Sequence, residues 1–149
     1  MKTTLDKATR DGLINRINAI NETNAPVWGK MTLYQMLKHC RQWEEMTNGQ
    51  IPSKRSFIGR LIGKSVLKQM VSNDNPLQRS TPTAPELKAI PGSAGDVEAE
   101  KKKWIAYLES YENFQDIGFI HPFFGPMNKS EIGCLAYKHA DHHLRQFNA

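Results

Sequence analysis

Residues 121–147 constrain the fold of this chain more than any other stretch. After a loop rich in proline and glycine, apolar residues recur every three or four positions, which predicts one amphipathic helix over residues 128–147. Asn128 followed by Glu131 has the form of a capping box, which marks a helix start. The inward face of this helix carries mostly apolar residues together with two histidines: Ile132, Leu135, Ala136, His139, His143 and Phe147.

His139 and His143 are four residues apart, so on a helix they lie one turn apart on the same face. That spacing lets two imidazoles bind one metal ion. The metalloprotease form of the motif needs Glu after the first His, and Ala140 stands there, so that class of hydrolase is excluded. Burying two imidazoles without partners is costly. A metal ion would satisfy them, and so would hydrogen bonds to Tyr, Glu or buried water.

A third ligand is available on the second predicted helix, residues 32–48, which Thr32 caps and Asn48 and Gly49 end. His39 lies at the edge of its apolar stripe. Considered alone, such a histidine is usually a core or surface residue. Facing helices of a bundle can nevertheless assemble a metal site, and His39 would complete a set with His139 and His143. Three protein ligands leave coordination positions open, as in catalytic sites.

Two more residues are candidates for supporting roles, although no catalytic residue is identified. Gln146 follows His143 by three positions on the same face and is a candidate hydrogen-bond partner of a ligating histidine. His121 could be a fourth ligand, a proton shuttle or a loop anchor; we favour support of a ligand or anchoring of the loop, because Pro122 fixes the backbone beside it. Cys40 and Cys134 are predicted to be packed hydrophobes rather than nucleophiles.

Three further helices are predicted, over residues 4–24 with Thr3 or Thr4 as cap, 56–71, and 96–112 with Asp96 as cap. Residues 73–95 hold many prolines and glycines, and we expect a long loop that helps to shape the site. No stretch shows strand alternation. The chain is therefore predicted to be a single all-α domain, residues 1–149: a four-helix bundle with an extra short helix and a long loop between helices 2 and 3.

Composition restricts the class of protein further. The chain has 149 residues and two cysteines, with no apolar run long enough to span a membrane and no signal-peptide core at its start. These features favour a reduced, cytoplasmic protein without a disulfide framework. The net charge of +5 comes from basic residues spread along the chain, so nucleic-acid binding is not favoured. The run Lys101, Lys102 and Lys103 is interpreted as a solvated face, and the basic helix 56–71 as packed on the domain rather than on a membrane.

Three stretches carry a resemblance to a known family: WGKMTLYQMLKHC around His39, NPLQRSTPTAPEL in the long loop, and HPFFGPMNKSEIGCLAYKHADHHLRQF at the end. The chain resembles the DinB/YfiT-like superfamily of metal-dependent four-helix bundles, and within it a bacterial branch of unknown function. The superfamily has one histidine late in the second helix and an H-x-x-x-H pair on the last long helix. Carried over by position, its metal triad is His39, His139 and His143.

The resemblance implies a divalent metal, zinc or nickel, with water in the remaining positions. Some relatives use the metal to activate a low-molecular-weight thiol such as bacillithiol or mycothiol. We therefore expect a metal-dependent enzyme acting on a small molecule, either a thiol-dependent S-transferase or a hydrolase. The alternative is a non-catalytic, stress-linked binding or interaction bundle with a structural or vestigial metal site. Relatives also form homodimers, and the exposed face of helix 56–71 is a candidate dimer surface.

Overall fold

The computed structural model describes residues 1–79 and 82–149, so part of the predicted loop 73–95 lies outside the described residues. Within these ranges there are five helices: α1 (Lys7–Ala19), α2 (Leu33–Thr47), α3 (Phe57–Met70), α4 (Val97–Ser110) and α5 (Lys129–Gln146). Single 3₁₀ turns lie at Pro85–Leu87 and Tyr111–Asn113. The prediction of an essentially all-α protein is confirmed.

The expectation that no strands form is wrong at one place. Strands β1 (Ile120–His121) and β2 (Gly125–Pro126) pair antiparallel within the loop that precedes α5. The turn back depends on Gly125, which has φ +84°, a conformation that side chains disfavour. With only two residues each, these strands are too short to show the alternation by which a strand is identified in a sequence.

Helix starts were predicted well where the cap is local. Thr32 caps α2 and Asp96 caps α4 through side-chain bonds to backbone N–H groups, and Asn128 forms the expected capping box with Glu131. The cap of α1 was predicted wrongly, because Asp6 occupies that position and accepts from the Thr9 N–H. Thr4 is instead buried, and its hydroxyl donates to the Gly133 carbonyl on α5.

Four helices enclose the main core. α2 packs against α4 and α5, and α1 packs against the same two helices. Burial of their apolar faces is the dominant stabilising contribution of this region. Its fully buried side chains include Leu13, Ile17, Met36, Leu37, Trp104, Leu108, Leu144 and Phe147. A second apolar cluster joins the loop before α5 to α2, α3 and α5 and includes Trp43, Met46, Leu67, Tyr111, Phe119, Phe124, Ile132 and Leu135.

The run of three lysines on α4 is not a uniformly solvated face, and that interpretation is wrong for Lys101. Its side chain is buried, and the ammonium donates to the carbonyls of Asn18 and Ile20 and pairs with Glu98. Lysine thereby satisfies carbonyls at the end of α1 that have no partner within the helix. Lys103 remains in solvent as predicted.

Helix α3 packs on the β1–β2 hairpin through its glycines. A Cβ at Gly63 would lie 2.0 Å from the Phe123 carbonyl oxygen, so no larger residue fits this contact. The opposite face exposes the apolar side chains of Phe57, Ile58, Leu61 and Ile62. The expectation that this face is a homodimer surface stays a prediction. In the described part of the chain, none of the helices combines the length and apolarity needed to cross a bilayer.

Candidate metal centre

Helices α2 and α5 bring the three predicted ligands together. His39 comes from α2, and His139 and His143 come from α5; one ring nitrogen of each lies within 4.8 Å of the other two. Their ring centroids are 4.7 to 5.0 Å apart. The predicted set therefore converges, although His39 is a hundred positions away from His139 in the chain.

The closest approach is 3.0 Å, between Nε2 of His39 and Nε2 of His139. Metal–nitrogen bonds of about 2.0–2.1 Å place two ligand atoms roughly 3.3–3.4 Å apart on one tetrahedral ion. The observed separation is a few tenths of an ångström shorter than that. It is also a hydrogen-bond distance, so a proton on one of the two rings can bridge the pair.

The outward nitrogen of His39 fixes its tautomer. Nδ1 lies 2.9 Å from the Leu87 carbonyl oxygen, and a carbonyl can only accept, so Nδ1 carries the proton. Nε2 then presents its lone pair to the cluster, which is the form a metal requires. Leu87 belongs to the 3₁₀ turn within the predicted loop 73–95, so that loop contributes directly to the site.

A side-chain amide fixes His143 in the same way. Gln146 donates through Nε2 to the Trp28 carbonyl oxygen at 2.8 Å, which orients its amide. Its Oε1 therefore faces Nδ1 of His143 at 2.9 Å and accepts the proton from that nitrogen. Gln146 therefore makes the contact to a candidate ligand that was predicted for it. The contribution of Trp28 was not foreseen, because it is a backbone contact across the fold.

Burial keeps the imidazoles neutral. Desolvation, together with the neighbouring His39, lowers the pKa of His143 to about 3. The pKa of His139 is held well below its ordinary value by burial and by the two other histidines, and burial also lowers the pKa of His39. Neutral imidazole is the form that binds a metal. The cluster is therefore in its ligand state at neutral pH.

Trp43 holds the third imidazole. Its ring stacks on His139 with centroids 5.2 Å apart and planes inclined by 25°. Trp43 follows His39 by four residues, so both side chains leave α2 on the same face toward α5. His139 is only partly buried, whereas His39 and His143 are buried.

His121 anchors the loop before α5 and lies outside the group of three that could share a metal. Its Nδ1 accepts from the backbone N–H groups of Phe123 at 3.1 Å and Phe124 at 3.2 Å. The ring stacks on Phe124, and burial together with the nearby Arg55 lowers its pKa to about 4. Of the predicted alternatives, its contacts match the loop anchor.

The two cysteines are free and buried, as predicted. Burial raises the pKa of Cys40 well above its ordinary value and also raises the pKa of Cys134. A thiol in that state is a poor nucleophile and a poor metal ligand, since both roles require the thiolate. The chemistry of this region therefore rests on the histidines.

The family described as a protein of unknown function (DUF1569) matches residues 1–149. The match covers the whole chain, so the protein belongs to this family. No curated protein and no solved structure matches the chain.

Proposed function

We propose that this member of the DUF1569 family binds one divalent metal ion through His39, His139 and His143, and that the metal serves an enzymatic reaction on a small molecule. One observation supports it above the others. Both His39 and His143 donate their Nδ1 protons outward, to Leu87 and Gln146, so that both Nε2 lone pairs are available to a shared ligand. Hydrogen-bonded imidazoles of this kind are typical of metal sites.

The donor set restricts the metal. Neutral imidazoles suit zinc, nickel, copper and iron, whereas calcium and magnesium prefer oxygen ligands. Zinc or nickel is the proposed ion, in line with the resemblance to DinB/YfiT-like bundles. When bound, an ion with three protein ligands would supply a Lewis acid with an open position, able to lower the pKa of a water molecule or a thiol. Activation of a water molecule would make the protein a hydrolase, and activation of a thiol would make it a thiol-dependent S-transferase.

The residues of this chain have separate tasks in that proposal. Leu87 and Gln146 hold two imidazoles in the ligand tautomer. Trp43 fixes the plane of His139 and covers one side of the ring. Within the described ranges, no fourth His, Cys, Asp or Glu joins the group of three histidines. Coordination positions on the bound ion would therefore stay free.

A non-catalytic bundle is the competing function, and the distance of 3.0 Å between His39 and His139 is the observation in its favour. At that distance the two rings can satisfy each other through one proton, and the cluster needs no ion to be stable. Metal content therefore decides between the two functions.

The test is elemental analysis of protein purified without a metal-affinity tag. Wild type should hold about one zinc or nickel ion per chain, and the double variant His39→Ala/His143→Ala should hold less than about a tenth of that. His142→Ala is the matched control, because it removes an imidazole from the same helix that is not one of the three candidate ligands. Circular dichroism should show that all three proteins remain helical.

Two results would contradict the proposal. Stoichiometric metal in the folded double variant would show that the ligands lie elsewhere. A wild-type protein that holds no metal, even after reloading with zinc and nickel, would favour the non-catalytic bundle.

A further inference from the structure

A cavity of about 130 Å³ lies beside the histidine cluster. It is connected to the cluster in two ways. The ring of His142, which lines the cavity, is 5.1 Å from the ring of His143. The backbone carbonyl of Trp28, another lining residue, accepts from Gln146, and Gln146 in turn holds His143. The cavity is lined by Trp28, Pro76, Leu77, Arg79, His142 and Arg145.

Two guanidinium groups give this cavity its chemistry. Arg79 lies over the Trp28 ring, 4.3 Å from its centroid, and it pairs with no acidic residue in residues 1–79 and 82–149. Arg145 has one carboxylate near it, Asp141, at 3.9 Å. That carboxylate already accepts from Arg16 at 2.7 Å. The cavity therefore carries positive charge in excess of its neighbouring negative charge.

The volume of the cavity also limits the size of the ligand that it can hold. Water occupies about 30 Å³ per molecule, so the space corresponds to roughly four waters. A carboxylate or a phosphate group fits it, whereas a drug-sized ligand needs about 300 Å³ or more. Arginine binds both of these anions through paired N–H donors, and stacking on Trp28 holds the Arg79 guanidinium in place.

We propose that this cavity is an anion subsite in which Arg79 and Arg145 bind a carboxylate or phosphate group of the substrate. The remainder of the molecule would extend past His142 toward the three histidines. The subsite adds a substrate class to the proposed function, namely an anionic small molecule. That substrate class rests on the proposed metal site, whereas binding of the anion to the two arginines does not depend on a metal.

Ligand titrations separate the two proposals. Intrinsic tryptophan fluorescence reports on the site, and Trp28→Phe shows which part of the signal comes from Trp28. Inorganic phosphate and acetate are the two probes, titrated separately at constant ionic strength so that charge screening stays fixed. We expect saturable binding of at least one probe, and the ratio of the two affinities shows which anion the site prefers.

The variants locate the binding. Arg79→Gln/Arg145→Gln should weaken it at least tenfold, since two charge-assisted contacts are lost. Arg60→Gln, on the exposed part of α3, is the matched control and should bind within about twofold of wild type. Arg79→Lys should be intermediate, because lysine keeps the charge and loses the paired donors.

The histidine double variant distinguishes failure of the subsite from failure of the metal centre. His39→Ala/His143→Ala should still bind the anion within about threefold of wild type, whether or not the wild type holds metal. No saturable binding of either probe, or equal binding by wild type and by a folded Arg79→Gln/Arg145→Gln variant, would overturn the subsite.

Discussion

Helix α2 carries two buried polar clusters that burial affects in opposite directions. His39 belongs to the histidine cluster, and Glu44, five residues later, forms a hydrogen bond of 2.7 Å with the Tyr111 hydroxyl. Burial lowers the pKa values of the histidines and raises the pKa of Glu44 to about 8. Both clusters are therefore driven to the neutral state, but the consequences differ. A neutral imidazole exposes a lone pair, whereas a neutral carboxyl gains a proton.

The comparison shows that burial alone does not identify a ligand site. The Tyr111 hydroxyl donates to the Glu44 carboxyl, so a donor and an acceptor are paired within that cluster. In the histidine cluster the outward nitrogens of His39 and His143 are satisfied, and one nitrogen of each ring lies within 4.8 Å of a nitrogen of His139. The feature that points to a ligand is this convergence of three ring nitrogens from two helices.

The largest expected effect concerns the acid–base behaviour of Glu44. Its pKa of about 8 in the folded state lies above the ordinary 4.5, so the folded state binds the proton more tightly. Its contribution to stability is complete below pH 4.5 and is lost as the pH rises toward 8. Glu44→Gln removes that loss, so the stability of the variant relative to wild type should rise by about 4 kcal/mol between pH 5 and pH 9.

Urea unfolding of both proteins across that pH range measures the difference. Glu112→Gln, an exposed position, is the control and should follow wild type at every pH. A difference between Glu44→Gln and wild type that does not change with pH would show that Glu44 is charged in the folded protein, and the contrast between the two clusters would be lost.

The second prediction tests whether the hydrogen bond at the outward nitrogen of His143 prepares the ring for metal binding. Gln146→Leu removes the acceptor of the His143 Nδ1 proton, so the ring loses its fixed tautomer. Zinc affinity, measured by competition with a chromophoric chelator, should fall about 10- to 100-fold. Gln115→Leu, in an exposed loop, should leave the affinity unchanged. Unchanged affinity in Gln146→Leu would mean that the amide does not prepare the site.

The smallest expected effect concerns His121, which should affect stability but not metal binding. His121→Ala leaves two backbone N–H groups without their acceptor, which should cost about 1–3 kcal/mol of unfolding free energy. His121→Asn supplies a side-chain acceptor close to the backbone and should recover part of that loss. Both variants should keep the metal content of wild type. Loss of metal in a stably folded His121→Asn protein would return His121 to the candidate ligands.

Local interactions explain why much of the fold was predictable. The caps Thr32, Asp96 and Asn128 act within three residues of their own position, and each is confirmed. The pairing of His139 with His143 follows from helical spacing alone. The errors fall where a distant contact overrides the local pattern. Thr4 was predicted as a cap and instead donates to Gly133, and Lys101 was interpreted as solvated and instead donates to Ile20.

The sequence by itself determined the helices, the inward placement of His139 and His143, and the identity of the three candidate ligands. Only the tertiary structure decided that His39 meets them, because that contact depends on how α2 packs against α5. It also assigned the Leu87 and Trp28 carbonyls to the support of the site. Every residue carries a backbone carbonyl, so no residue type signals such a contact, and the path of the chain alone places one beside a histidine.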